Sequence, residues 1–227
     1  MRNAYLLLEQ IGPDFGYFPS GAKCWLTIPK RLEAMVKQYL ADNNLPWRTT
    51  QGKRYVGGFI GSDDELSEWI SPKVEDWAFA IKRLAGAAAK YPQTAYNGLV
   101  RSLQCEWQYI CRIVEGAARY LEPLEKAIRE VFLPALLDVD PNAITDDLRN
   151  LIAHSVKNGG MAIPNPVEAA PLLYQSSVEA SSLLVEALHS GGSLNLKAHQ
   201  TQVRQASKSA KKARLAAEKA SLPALKN

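Results

Sequence analysis

No stretch of this 227-residue chain approaches the roughly 20 uninterrupted apolar residues that a membrane-spanning helix needs. The apolar run near the start, Tyr5 to Leu8, is too short for a secretory signal peptide. No membrane partner is expected, and an intracellular protein is, with nucleus and cytoplasm not distinguished. Cysteine is scarce. Cys24, Cys105 and Cys111 form an odd set with no CxxC pair, which argues against a disulfide framework. Histidine is equally scarce, and His154, His189 and His199 have no ligand spacing to one another or to a cysteine, so no metal site is expected from them. Buried thiols and surface imidazoles are the expectation. Gly159-Gly160 is not followed by Gly-Lys-Ser/Thr, which excludes a phosphate-cradling loop of the nucleotide-hydrolase kind.

Acidic residues are missing from one place. From Lys197 to the end there are eight Lys or Arg and a single acid, Glu218. The other 196 residues hold 19 basic and 22 acidic side chains, a net charge of −3. The overall +4 is therefore a property of the tail. A basic tail points toward nucleic acid or an acidic partner, while a merely solvated helix face is the alternative.

What is present reads as α+β, mostly α. Residues 1–10 suit the last turns of a helix that Gly12-Pro13 breaks. Residues 24–28 read as a short strand stopped by Pro29, and residues 30–44 as a helix with Leu32, Met35, Val36, Tyr39 and Leu40 at helical spacing. Residues 47–50 and 54–60 read as a hairpin turning at Gln51-Gly52-Lys53. After residue 61 the strand signal nearly vanishes. Ser62-Asp63-Asp64-Glu65 has the spacing of a capping box, and Ser71-Pro72 suggests a second helix start.

The helical faces that follow are regular. One holds Val74, Trp77, Ala78, Ile81, Leu84, Ala85 and Ala88. After Tyr91-Pro92 comes another, with Tyr96, Leu99, Leu103, Trp107, Ile110 and Val114, and residues 121–137 continue helical with Pro134 near the end. Asp146 and Asp147 suit the first turn of a short helix. Residues 157–166 must turn sharply. The next helix carries Tyr174, Val178, Ser181, Val185 and Leu188 along one side, and residues 190–193 break it. The last helix has a narrow stripe of Val203, Ala206, Ala210, Ala213 and Ala217, which predicts loose docking at most, because alanines bury little area. The expected domains are 1–61, 62–190 and 191–227.

Three segments in this order resemble retroelement reverse transcriptases. Residues 16–26, from Gly16-Tyr17-Phe18-Pro19-Ser20-Gly21 through Lys23 into Cys24-Trp25-Leu26, look like motif D of the polymerase palm. Tyr55-Val56-Gly57-Gly58-Phe59-Ile60-Gly61 is similar to motif E, the primer-grip hairpin. Asn158-Gly159-Gly160-Met161-Ala162-Ile163-Pro164-Asn165-Pro166 looks like the Gly-Gly-Leu-Gly-Ile-x-x-Pro stretch downstream of the thumb. Between the second and third, Trp77, Pro92-Gln93, Tyr96, Trp107, Arg112 and residues 132–137 resemble thumb helices. The likeness covers most of residues 12–190. It departs where Ser20 stands for the usual Asn, Val56 for Leu, and Met161-Ala162 for Leu-Gly. The family's Tyr-x-Asp-Asp is not in this sequence.

The resemblance implies a palm remnant of strand plus hairpin, then a helical thumb bundle and a basic helix. It implies a fragment of an RNA-directed DNA polymerase, inactive by itself, that retains some affinity for RNA or DNA; a non-enzymatic helical interaction module of retroelement origin is the alternative. The intact polymerase would use Mg²⁺, whereas this chain implies no cofactor and no metal site. Lys23 would be the general acid toward pyrophosphate in the intact enzyme, against a plain surface lysine. Tyr55, Gly57 and Gly58 would support the primer terminus, against a plain hairpin. Arg204, Lys208, Lys211, Lys212 and Arg214 would neutralise phosphates. Two-metal nucleotide transfer needs carboxylates on a rigid β-turn, and Asp63-Asp64 and Asp146-Asp147 read instead as helix caps. Trp77, Trp107 and Tyr96 read as core rather than a base-stacking platform.

Overall fold

A computed structural model describes residues 2–221; Met1 and the end of the tail, residues 222–227, lie outside the described residues. Two compact units result, Met1–Ser67 and Glu68–Asn227. Together they are α+β and mostly α.

The first unit opens with helix α1 (Arg2–Ile11) and a 3-10 turn, Gly12–Phe15, that ends at Gly16 with φ 73°. Strand β1 (Trp25–Thr27) follows, then helix α2 (Glu33–Asp42) and strand β2 (Arg48–Thr50). β1 and β2 pair in parallel, Trp25 opposite Arg48 and Thr27 opposite Thr50. A parallel pair needs a crossover, and α2 supplies it. Strands β3 (Gly52–Tyr55) and β4 (Gly58–Gly61) form an antiparallel hairpin.

This corrects the expected hairpin. The segment at Arg48–Thr50 belongs to the parallel pair, and the reversal falls at Val56-Gly57 rather than at Gln51-Gly52-Lys53. Val56 and Gly57 have φ 47° and 81°, the positive values that a two-residue turn of this hand demands. A β-branched residue is the poorest occupant of such a position, so the turn has no sequence signal at Val56.

Helix α3 (Asp63–Ala88) is a single element with Pro72 inside it, so the helix start expected at Ser71-Pro72 does not form. An interior proline costs about 3 kcal/mol. Burial of Leu66, Ile70, Val74, Trp77 and Ile81 at steps of three and four residues along the helix outweighs it. At its start the Glu65 N–H donates to Ser62 Oγ at 3.5 Å, while the Ser62 N–H donates to Gln51 O at 2.8 Å. Only the serine's half of the capping box is therefore formed.

The second unit continues with α4 (Pro92–Gly98), a π-turn (Leu99–Leu103) and α5 (Gln104–Ile113). Next come α6 (Glu122–Ala127), a second π-turn (Ile128–Phe132) and α7 (Leu133–Leu137). Pro134 has no N–H for the carbonyl of Glu130, and the turn before it widens so that the Leu133 N–H donates to Ile128 O. Helices α8 (Asp146–Ala153), α9 (Pro166–Ser190) and α10 (Leu196–Ser221) complete the described residues. Trp107, Phe132, Leu99, Leu121, Leu124, Ile128 and Leu133 are fully buried. Trp77 and Trp107 sit 6.2 Å apart, and Trp77 Nε1 donates to Glu106 at 2.9 Å, which makes them core, as expected. No strand follows residue 61 among the described residues.

Two composition-based expectations change. Cys105 is exposed rather than buried, and His154 is buried rather than on the surface.

Candidate nucleic-acid interface

Each unit carries part of what the sequence singles out. In the first, Lys23 ends a single 3-10 turn (Gly21–Lys23) and is exposed, two residues before β1. The turn is tightly seated: a Cβ on Gly21 would lie 2.6 Å from Pro46 and 2.7 Å from the Tyr5 hydroxyl. Tyr55 is 68% exposed at the end of β3, and Gly57 and Gly58 follow it through the turn. Trp25 of β1 joins the two segments. Lys53 of β3 lies 3.7 Å from its ring centroid, and Arg48 lies 5.4 Å from it. The segment holding Lys23 and the hairpin holding Tyr55 thus touch through an indole stacked by cations.

In the second unit α10 runs antiparallel to α9. Gln202 Nε2 donates to Glu179 O at 2.9 Å and bonds Ser182 Oγ, and Ala206 is buried. Near the other end of α10, Ser155 Oγ and Asn158 Nδ2 donate to Glu218 at 2.6 and 2.8 Å, and Arg214 Nε lies 3.3 Å from the same carboxylate. Burial pushes the Glu218 carboxyl up, yet the hydrogen bonds from Ser155 and Asn158 outweigh it, and the group sits below its ordinary value. Ser221 Oγ lies 3.1 Å from His154 Nε2.

The tail is therefore docked on α9, with Ala206 and Glu218 its buried residues. Within the alanine stripe Ala206 is buried while Val203, Ala210, Ala213 and Ala217 are exposed, and polar contacts through Gln202 and Glu218 add to the hold on the helix. Docking also sorts the cations. At 3.6 residues per turn, Lys197, Arg204, Lys208, Lys211, Lys212 and Lys219 fall within an arc of about 100° that points away from Gln202 and Ala206. All six are exposed. They span about 33 Å of helix at 1.5 Å per residue. Arg214 lies off this row and is tied to Glu218. Lys197 and Lys219, absent from the residues that sequence alone nominates, lie on it; helical phase was the signal that could have found them.

The third motif is anchored within the second unit. Arg149 donates from Nε and Nη2 to the two oxygens of Glu125 at 2.7 and 2.6 Å, and from Nη1 to Ile163 O at 2.8 Å. Tyr96 Oη donates to Met161 O at 2.8 Å, and the Met161 and Ala162 N–H groups donate to Ile152 O and His154 O. Gly159 has φ 83°. A Cβ on Gly160 would fall 2.2 Å from His154 O. Ala162 has φ 55°, a left-handed conformation that favours glycine.

The carboxylates serve helix starts. Asp63 and Asp64 occupy the first turn of α3. Asp146 and Asp147 occupy that of α8, where Asp146 also pairs with Arg129 at 2.6 Å. The donor set that two-metal chemistry needs is not assembled: no group of three or more His, Cys, Asp or Glu placed to hold a metal ion occurs among the described residues. No helix among them is long and apolar enough to cross a membrane. No family model, curated protein or solved structure matches the chain.

Proposed function

We propose that the protein is a segment of a retroelement reverse transcriptase, palm end plus thumb, that binds nucleic acid through the exposed cation row of α10 and does not polymerise by itself. The observation that carries the binding claim is the row. Six exposed cations on one face, with the helix held in place by its other side, form a phosphate-neutralising edge. Phosphate recognition of this kind is sequence-independent.

The family reading draws support from the third motif. The family stretch has glycine at three places, and each corresponding position here meets a demand for glycine: positive φ at Gly159, close backbone at Gly160, positive φ at Ala162. Alanine at the last site carries strain. Ala162→Gly is expected to stabilise the protein by about 0.5–1 kcal/mol. Relief of a left-handed alanine, about 1–2 kcal/mol, exceeds the extra chain entropy of glycine, about 0.4–1 kcal/mol. Urea denaturation with an unchanged slope checks this, and a fall in midpoint contradicts it. In the same reading Tyr55, Gly57 and Gly58 border the primer, and Lys23 is the proton donor of an intact enzyme.

With Mg²⁺, deoxynucleotides and a primed RNA template, the chain is expected to incorporate nothing above background. Incorporation that disappears in D63N/D64N would contradict this, since those carboxylates are assigned to a helix start. The binding claim itself is tested by fluorescence anisotropy with an RNA·DNA hybrid at low salt. Saturable binding is expected, and none at 50 mM salt, where electrostatic binding is still strong, refutes the function.

A further inference from the structure

One hydroxyl borders the cation row of α10. Ser207 is exposed, and at about 100° per residue it lies about 40° beyond the edge of the row. Arg204 stands three residues before it and Lys211 four residues after it, so both are its neighbours on the helix surface. The other hydroxyls of the helix are placed differently. Thr201 Oγ1 donates to Lys197 O at 2.9 Å, and Ser221 Oγ donates to Glu218 O at 2.8 Å. Ser209 has Gln205 and Ala206 on the turn before it, and of the row only Lys212 on the turn after it.

The sequence sets Ser207 apart in a second way. Of all the Ser and Thr residues in the chain, it alone has Arg or Lys three positions before it. Serine kinases of the basic-directed kind choose their targets by a cation at that position, a charge pattern read by acidic groups in their own cleft. Such an enzyme takes its substrate extended, so α10 must open locally. From Arg204 to Arg214 Ala206 alone is buried, and opening that stretch exposes little apolar area. We infer that Ser207 is a phosphorylation site that weakens the α10 row. The γ-phosphoryl group of ATP passes to Ser207 Oγ: the Oγ–P bond forms, the bond from that phosphorus to the bridging oxygen breaks, the hydroxyl proton goes to the kinase's base, and ADP leaves. The phosphate carries a charge of about −1.5 to −2 at neutral pH. Arg204 and Lys211 pair with it and are lost to nucleic acid, which leaves four cations of the row.

The switch rests on the α10 row as the binding site, and one experiment separates the two. The full chain is treated with ATP, Mg²⁺ and a purified serine kinase that selects arginine three residues before its target, and the modified site is mapped by mass spectrometry. Fluorescence anisotropy with the RNA·DNA hybrid over a salt series then compares treated and untreated chain, alongside S207A. One phosphate is expected, on Ser207. It should lower the salt slope from about −5 to about −3.5 and weaken binding about fiftyfold near 0.1 M salt, two contacts of the six being lost. S207A should take up no phosphate and bind equally before and after treatment. No phosphate on Ser207, or a phosphorylated chain with the slope of the untreated one, overturns the inference and leaves the α10 row standing as the binding site. An untreated chain that does not bind overturns the α10 row itself, and the switch falls with it.

Discussion

Replacing Lys197, Arg204, Lys208, Lys211, Lys212 and Lys219 together by Gln is expected to abolish the salt-dependent part of nucleic-acid binding. Each phosphate neutralised releases counterions, and on a DNA duplex the logarithm of affinity falls by about 0.9 per contact for each logarithm of salt. Six contacts give a slope of about −5, so wild type should lose about a thousandfold in affinity between roughly 50 and 200 mM salt. The six-site variant should show a slope near zero and weak binding throughout. All six side chains are exposed, and the variant leaves in place Gln202 and Glu218, whose contacts hold α10, so the fold should survive. Arg214→Gln separates this account from one in which any basic residue counts. Arg214 is engaged with Glu218, so its loss should leave the slope nearly unchanged. A six-site variant that keeps the wild-type slope would remove α10 from the interface.

Arg149→Met is expected to destabilise the second unit by about 3–5 kcal/mol. Arg149 and Glu125 are 3 and 7% exposed and joined by two hydrogen bonds. Removing the guanidinium strands a carboxylate in the core and also takes the donor from Ile163 O. At about 2–4 °C per kcal/mol for a unit of this size, the melting temperature should fall by roughly 10 °C. The double variant E125L/R149M should recover part of the loss, because no uncompensated charge is then buried. A single-variant cost under about 1 kcal/mol, the range of an exposed pair, would contradict the burial described.

Both predictions rest on features the sequence exposes unequally. The helices were legible because their apolar residues recur every three or four positions, as at Val74, Trp77, Ala78, Ile81 and Ala85, all buried. The parallel pairing of Trp25–Thr27 with Arg48–Thr50 was not, since strand propensity does not specify a partner. Val56 concealed the turn because its side chain argues for a strand while the register imposes positive φ. Ser71-Pro72 misled in the opposite way: a strong local start signal lost to the continuous burial of α3. Among the site residues, exposure of the α10 cations was legible from composition. Their division into a free row and the engaged Arg214 was not, because it depends on Glu218 reaching Ser155 and Asn158 some 60 residues away in sequence. Nor does any local pattern link Glu125 with Arg149, 24 residues apart.

The proposed binding at the α10 row is tested most directly by photo-crosslinking an RNA·DNA hybrid to the full chain and mapping the adducts by mass spectrometry. Adducts are expected in the peptides bearing Lys197, Arg204, Lys208, Lys211, Lys212 and Lys219. Adducts confined to other surfaces of a saturated complex would contradict it.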